Sequence, residues 1–269
     1  MDNKQLDFCL LIPCYNNPQG LMVSLKSIFY DTDRFAVVVV DDGSTVSVST
    51  HQIKSELKNI DSITVLRNEQ NRGITDALNL GLEWIEEHLS VKYIARLDCG
   101  DRCHPHRFYR QMEYLNTHPD VGLLGSWCVF QDKKMSFSFQ FKTPTGHERI
   151  KKAMHLGNVF IHSTTVFRAT LLKTAGHYPS EFIYAEDYAF FWKLINVTRS
   201  HILDEFLITY EIDHEGLSIK NRQEQLRSRA RIIATFGTNP FRKIVGILRA
   251  KALYVIPKRL VLPLKHWIK

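Results

Sequence analysis

A chain of 269 residues, 44% hydrophobic and 23% charged, suffices for one large α/β domain with a sizeable core and is short for two. These proportions exclude a disordered or fibrous protein, and no apolar run reaches the roughly eighteen residues that span a bilayer; the best, 244–256, is broken by Arg249 and Lys251. The net charge of +7 is segregated: from Lys220 onward thirteen Lys or Arg face the single acid Glu224, whereas the first 219 residues hold 22 basic and 27 acidic ones.

The opening residues to Asp7 carry two acids and no apolar stretch, which does not read as a secretory signal. Short β-rich runs then alternate with amphipathic patterns. Residues 8–12, 36–40, 62–66 and 93–97 are predicted strands, and 20–30, 50–57 and 71–87 predicted helices. This alternation implies right-handed βαβ crossovers and an α/β fold with a mostly parallel central sheet flanked by helices. Past Pro105 the expectation is a helix to His118, strands at 122–130 and 136–141, and a short helix at 150–155. A strand at 163–167, a helix at 186–197 and a strand at 202–210 follow. The five cysteines, Cys9, Cys14, Cys99, Cys103 and Cys128, lack Cys-x-x-Cys spacing, which argues against a disulfide framework or structural zinc and suits a reducing cytosol.

Ligands of such sheets bind outside the carboxyl ends of the strands, where two acidic clusters fall. Asp41-Asp42-Gly43-Ser44 follows the second strand and Asp98-Cys99-Gly100-Asp101 the fourth. Either is also an ordinary polar turn. As chemistry, the first offers carboxylates to a base N–H or ribose hydroxyls, and the second offers hard-metal ligands that neutralise a diphosphate. Glu186-Asp187 opens an apolar helix; acids there favour the helix dipole, and one of them can equally serve as a general base. His162, at the head of an apolar strand, reads as a hydrogen-bonded core residue.

In chain order these segments resemble glycosyltransferase family 2, with the GT-A fold. The matching motifs are Ile12-Pro13-Cys14-Tyr15-Asn16-Asn17, Val39-Val40-Asp41-Asp42-Gly43-Ser44, Asn71-Arg72-Gly73 with Ala77-Leu78-Asn79-Leu80-Gly81, Arg96-Leu97-Asp98-Cys99-Gly100-Asp101 and Glu186-Asp187. The resemblance implies that Pro13, Tyr15, Asp41 or Asp42, and Arg72 hold a uridine nucleotide, with Asp98 by the ribose and a magnesium or manganese ion. It makes Asp187 the catalytic base, with Glu186 beside it. The family pattern Asp-x-Asp-Asp is broken by Gly100, so Asp101 is the expected second metal ligand. His214, on a polar turn after the last strand, matches a late histidine that touches metal or diphosphate in some GT-A enzymes.

The expected organisation is a glycosyltransferase domain over 1–218, with a nucleotide-binding half (1–104) and an acceptor-side half (105–218), and a basic amphipathic helical segment over 219–269. That segment suits an anionic membrane surface, a solvated helix being its plainer alternative; no recognition motif supports nucleic acid. The resemblance and the tail together imply an inverting transfer from a UDP-sugar to a lipid-linked or lipopolysaccharide-type glycan, peripheral to the cytoplasmic membrane face. A catalytically inactive nucleotide-sugar binder is the alternative. A nucleotidyltransferase is less favoured for want of a Gly-rich phosphate loop, and a dehydrogenase for want of Gly-x-Gly-x-x-Gly.

Overall fold

The computed structural model describes residues 5–57, 60, 62–213 and 220–255. Four strands form its parallel half: β1 (Leu6–Cys14), β2 (Phe35–Asp41), β3 (Ile63–Arg67) and β4 (Val91–Arg96). They are joined by the helices α1 (Pro18–Lys26), α2 (Thr50–Glu56) and α3 (Ile74–His88). The runs are uniformly apolar because both faces are covered. On β1, Cys9 and Leu11 face one core with α3, while Phe8, Leu10 and Ile12 face a second core with α1.

The second half adds β5 (Arg102–Cys103), α4 (Arg107–Thr117), β6 (Val121–Asp132), β7 (Phe137–Phe141), α5 (His147–Met154), β8 (Val166–Arg168), α6 (Leu172–Ala175), α7 (Glu186–Val197) and β9 (Arg199–Glu211). The sheet order is β3-β2-β1-β4-β8-β6-β9-β5, with β7 on β6. Beyond β4 it is mixed: β8 is antiparallel to β4 and β6, and β9 is parallel to β6.

The strand expected at 163–167 is shorter and later, because His162–Thr164 form a 3-10 turn. Thr164 and Thr165 donate their hydroxyls to the carbonyls three residues back, at 2.8 Å each, giving the backbone a local alternative to the ladder.

The basic segment forms two helices, α8 (Arg222–Phe236) and α9 (Pro240–Val255). Ile232 and Ile233 of α8 are buried in the α3-side core. The helix also fastens the loop before α7: Gln225 donates to the Tyr184 carbonyl at 3.1 Å, Ser228 to Ile183 at 2.8 Å and Arg231 to Glu181 at 3.1 Å. α9 lies on α8, and a β-carbon at Gly246 would come within 1.9 Å of the His155 carbonyl oxygen, so only glycine permits this approach. Its outer side leaves Phe241, Ile244, Val245, Leu248 and Val255 exposed beside Arg242, Lys243 and Lys251. No helix among the described residues is long and apolar enough to cross a membrane. The part of the basic segment from Ile256 onward lies outside the described residues.

Candidate active site

The carboxyl ends of β1, β2 and β3 bring the first three sequence motifs together. Asp41, the last residue of β2, is fully buried and spends both oxygens on its own loop. Oδ1 accepts from the Ser44 amide at 2.9 Å, and Oδ2 from the Val48 amide at 3.0 Å and Arg67 at 2.5 Å. Burial opposes its charge, but these bonds hold its carboxyl below the usual range. Asp42 reaches to the start of α3, accepting from the amides of Arg72 (3.0 Å) and Gly73 (2.8 Å) and from the Asn68 side chain (2.7 Å). The positive end of the helix suits a carboxylate there. Tyr15 and the Arg72 side chain are exposed at the mouth of this cleft, with Arg72 paired to Asp76 at 3.0 Å, and Pro13 is half-buried behind them.

The Asp98 to Asp101 loop is stitched to α1 by the buried Ser24, whose hydroxyl contacts the carbonyls of Asp98 (3.1 Å) and Asp101 (2.8 Å) and the Gly100 amide (2.9 Å). Gly100 has φ +104°, with open space where its side chain would be. The two acids of this loop differ sharply. Asp98 is partly open, 30% exposed, with one oxygen on the Arg96 guanidinium at 2.6 Å. Burial would raise it, yet Arg96 and the Ser163 hydroxyl keep it below the usual carboxylate range. Asp101 is buried; its Oδ1 accepts from the Glu211 amide at 3.0 Å and its Oδ2 from the Ser163 hydroxyl. Burial, with Asp98 nearby, pushes its carboxyl up to about 8.

A magnesium ion keeps several waters and takes one or two carboxylates plus substrate phosphates. The open oxygen of Asp98 meets that need, whereas Asp101 faces inward toward β9 and has no oxygen to spare. Among the described residues no three His, Cys, Asp or Glu side chains converge as a ready metal cage. His214 lies outside the described residues.

Arg96, fully buried inside an apolar strand, is the residue that the sequence undersells. Beyond Asp98 it donates to the Leu11 carbonyl and, through Nε, to His162 Nε2 at 3.1 Å. The Tyr178 hydroxyl lies 2.8 Å from the same nitrogen. Two donors on Nε2 fix the proton of the ring on Nδ1, and burial beside Arg96 lowers its pKa to about 3, so His162 is neutral. It is hydrogen-bonded, as expected, but within the site rather than remote from it. An arginine in an otherwise apolar strand is the signal that such partners exist.

Glu186 and Asp187 form the first turn of α7. Asp187 Oδ2 accepts from Asn158 at 2.9 Å and Oδ1 from the Tyr188 amide at 2.6 Å. Burial lifts its carboxyl to about 6, against the pull of Arg229 on α8. Glu186 is buried, with no partner on Oε2, and burial beside Asp187 drives it to about 8. Tyr210 of β9 is raised by burial and by the charges of Asp101, Asp98 and Asp187. Asp98 thus offers an ionised, open carboxylate beyond β4, and Asp187 a carboxylate raised to about 6 at the start of α7.

Residues 9–176 match the family model described as Glycosyl transferase family 2. The amylovoran biosynthesis glycosyltransferase AmsE of Erwinia amylovora is 30% identical over 193 residues, 71% of this chain and 70% of that protein. An Escherichia coli UDP-Gal:alpha-D-GlcNAc-diphosphoundecaprenol beta-1,3-galactosyltransferase is 26% identical over 222 residues, covering 80% and 78%. In shape the chain is similar to Staphylococcus aureus TarS 1–349 in complex with UDP-GlcNAc, with TM-score 0.67 and 21% identity over 90% of this chain and 70% of that one. It is also similar to the mannosyltransferase PcManGT of Pyrobaculum calidifontis in complex with GDP-Man and Mn2+, with TM-score 0.66 and 19% identity over 96% and 72%.

Proposed function

The chain belongs to glycosyl transferase family 2 and is a sugar transferase of the GT-A fold; from that premise we propose that it moves a hexose or N-acetylhexosamine from a UDP-sugar to a hydroxyl of a lipid-linked or capsule-type glycan, with inversion. The observation that carries this reading is Asp187, held by Asn158 and poised near pH 6 in reach of Asp98. A general base works best when its pKa lies near the working pH.

Pro13, Tyr15, Asp42 and Arg72 line the uridine, while Asp41 fixes the loop that carries Asp42. Asp187 takes the proton of the acceptor hydroxyl as that oxygen attacks the anomeric carbon. The bond from this carbon to the diphosphate breaks on the opposite face, and UDP leaves with the bonding electrons. Asp98 would hold a magnesium or manganese ion, which when bound would supply neutralising charge for that leaving group; Asp101 and Ser163 brace the loop behind it. The donor and acceptor named for the Escherichia coli relative, and the UDP-GlcNAc in the TarS complex, support a UDP-sugar and a lipid diphosphate. The exposed apolar and basic side of α9 supports docking at an anionic membrane face.

Screening nucleotide sugars by UDP release identifies the donor. Asp187→Asn is expected to cut transfer by roughly 10²–10⁴-fold while leaving the UDP-induced shift in Tm in place. Full turnover in that variant removes Asp187 from the role.

A further inference from the structure

The first and fourth loops of the donor cleft carry a cysteine each, and the sheet sets them face to face. Leu11 of β1 pairs with Arg96 of β4, and the ladder continues as the Leu97 amide donates to the Leu11 carbonyl at 3.3 Å. Pairing ends there: Cys14 is the last residue of β1, and Cys99 lies in the turn closed by the Asp101 amide on the Asp98 carbonyl at 3.1 Å. Both cysteines pack on the α1 side, with Phe8, Leu10 and Ile12 of β1 and with Tyr93, Ala95 and Leu97.

Cys99 Sγ reaches the carbonyl of Pro13, the residue bonded to Cys14, at 3.3 Å; Cys14 Sγ reaches the Asn17 carbonyl at 3.7 Å, and the Asn17 side-chain amide donates to the Cys99 carbonyl at 3.5 Å. These contacts hold the two cysteines side by side, as a disulfide between α-carbons roughly 4.4–6.8 Å apart requires. Cys99 is partly exposed at the cleft, whereas Cys14, Cys9, Cys103 and Cys128 are buried.

We propose that Cys14 and Cys99 are a paired-thiol modification site which a small disulfide oxidant, of the glutathione class, converts to a Cys14–Cys99 bridge across the floor of the donor cleft. Either thiol, once deprotonated, attacks one sulfur of the oxidant, giving a mixed disulfide and releasing one thiol. The other then loses its proton and attacks the protein sulfur of the mixed disulfide, releasing the second thiol. Two protein thiols are thereby oxidised by two electrons as the oxidant is reduced to two thiols. The bridge draws Pro13-Cys14-Tyr15 toward Asp98-Cys99-Gly100, so the cleft that receives the nucleoside diphosphate changes shape. This consequence rests on the reading of the cleft as the UDP site; formation of the bridge does not.

The full chain, equilibrated with oxidised glutathione and digested without reduction, is expected to yield one cross-linked peptide pair joining Cys14 to Cys99, with the other three thiols still free to alkylation. In parallel, the UDP-induced Tm shift falls at least several-fold and returns with dithiothreitol, and neither change is seen in Cys99→Ser or Cys14→Ser. Glutathione retained on Cys99 with Cys14 free, or a bridge to any other cysteine, overturns the site. A bridge that forms without altering the UDP response overturns its effect on the cleft. Absence of any UDP response in the reduced protein counts against the donor assignment alone, since the peptide readout stands without it.

Discussion

The acids of the cleft differ because their surroundings do, and pH exposes the difference. With Asp187 as the proposed base, transfer requires its ionised form, so the rate at saturating donor is expected to rise with pH through about 6 and then level; a rate flat from pH 5 to 8 excludes this base. Glu186 moves stability instead. Its folded pKa, about 8, lies above its unfolded value near 4.3, so between the two the folded chain binds more protons than the unfolded one. Stability therefore falls as pH rises across that window. Glu186→Gln removes the buried charge and is expected to raise Tm by on the order of a few degrees at pH 8.5, a gain that disappears toward pH 4, as followed by thermal melts. The positions of Asp98 after β4 and of Asp187 in the first turn of α7 were legible from their motifs. The inward turn of Asp101 was not, because its partner, the Glu211 amide, lies on a strand 110 residues away. Neither was the Arg96–His162–Tyr178 chain, whose members are scattered over 83 positions and meet only through folding.

Among the elements, the parallel half was legible to within two or three residues at most ends because strands covered on both faces must be continuously apolar. Most elements of the mixed half were legible to the same tolerance, but the short β5 and α6 were not, and the strand expected at 163–167 was misplaced because the hydroxyls of Thr164 and Thr165 turn a β-branched run into a 3-10 turn. The basic segment showed its charge but concealed its division, for it is burial of Leu226, Ile232 and Ile233 that marks α8 as part of the body. Packing of α9 depends on Gly246. The contact that its β-carbon would make is to backbone, which cannot swing aside as a flexible side chain can. Gly246→Val is expected to cost about 1–3 kcal/mol by overpacking and to open α9 to trypsin at Arg249 and Lys251 while β1–β4 stay protected. Unchanged proteolysis would refute that packing.

For the molecule as a whole, the charge is divided between a mildly acidic body and a cationic, partly apolar flank, the feature on which the proposed membrane docking rests. Each basic residue near an anionic surface adds on the order of 1 kcal/mol. Co-sedimentation with phosphatidylglycerol-containing vesicles is expected at low salt, weakening as salt screens the charges. Phe241→Glu combined with Leu248→Glu is expected to reduce it at least several-fold without lowering Tm, since both side chains already face outward; equal binding by the double variant would rule out α9 as the docking face.

The bonds from α8 to the carbonyls of Glu181, Ile183 and Tyr184 also bear on the order of events during synthesis. The nucleotide-side strands emerge from the ribosome first and can pair as they appear. The loop leading into Asp187, however, waits for a clamp encoded some forty residues further on. A nascent chain can therefore possess its parallel half well before Asp187, the proposed base, is fixed in place.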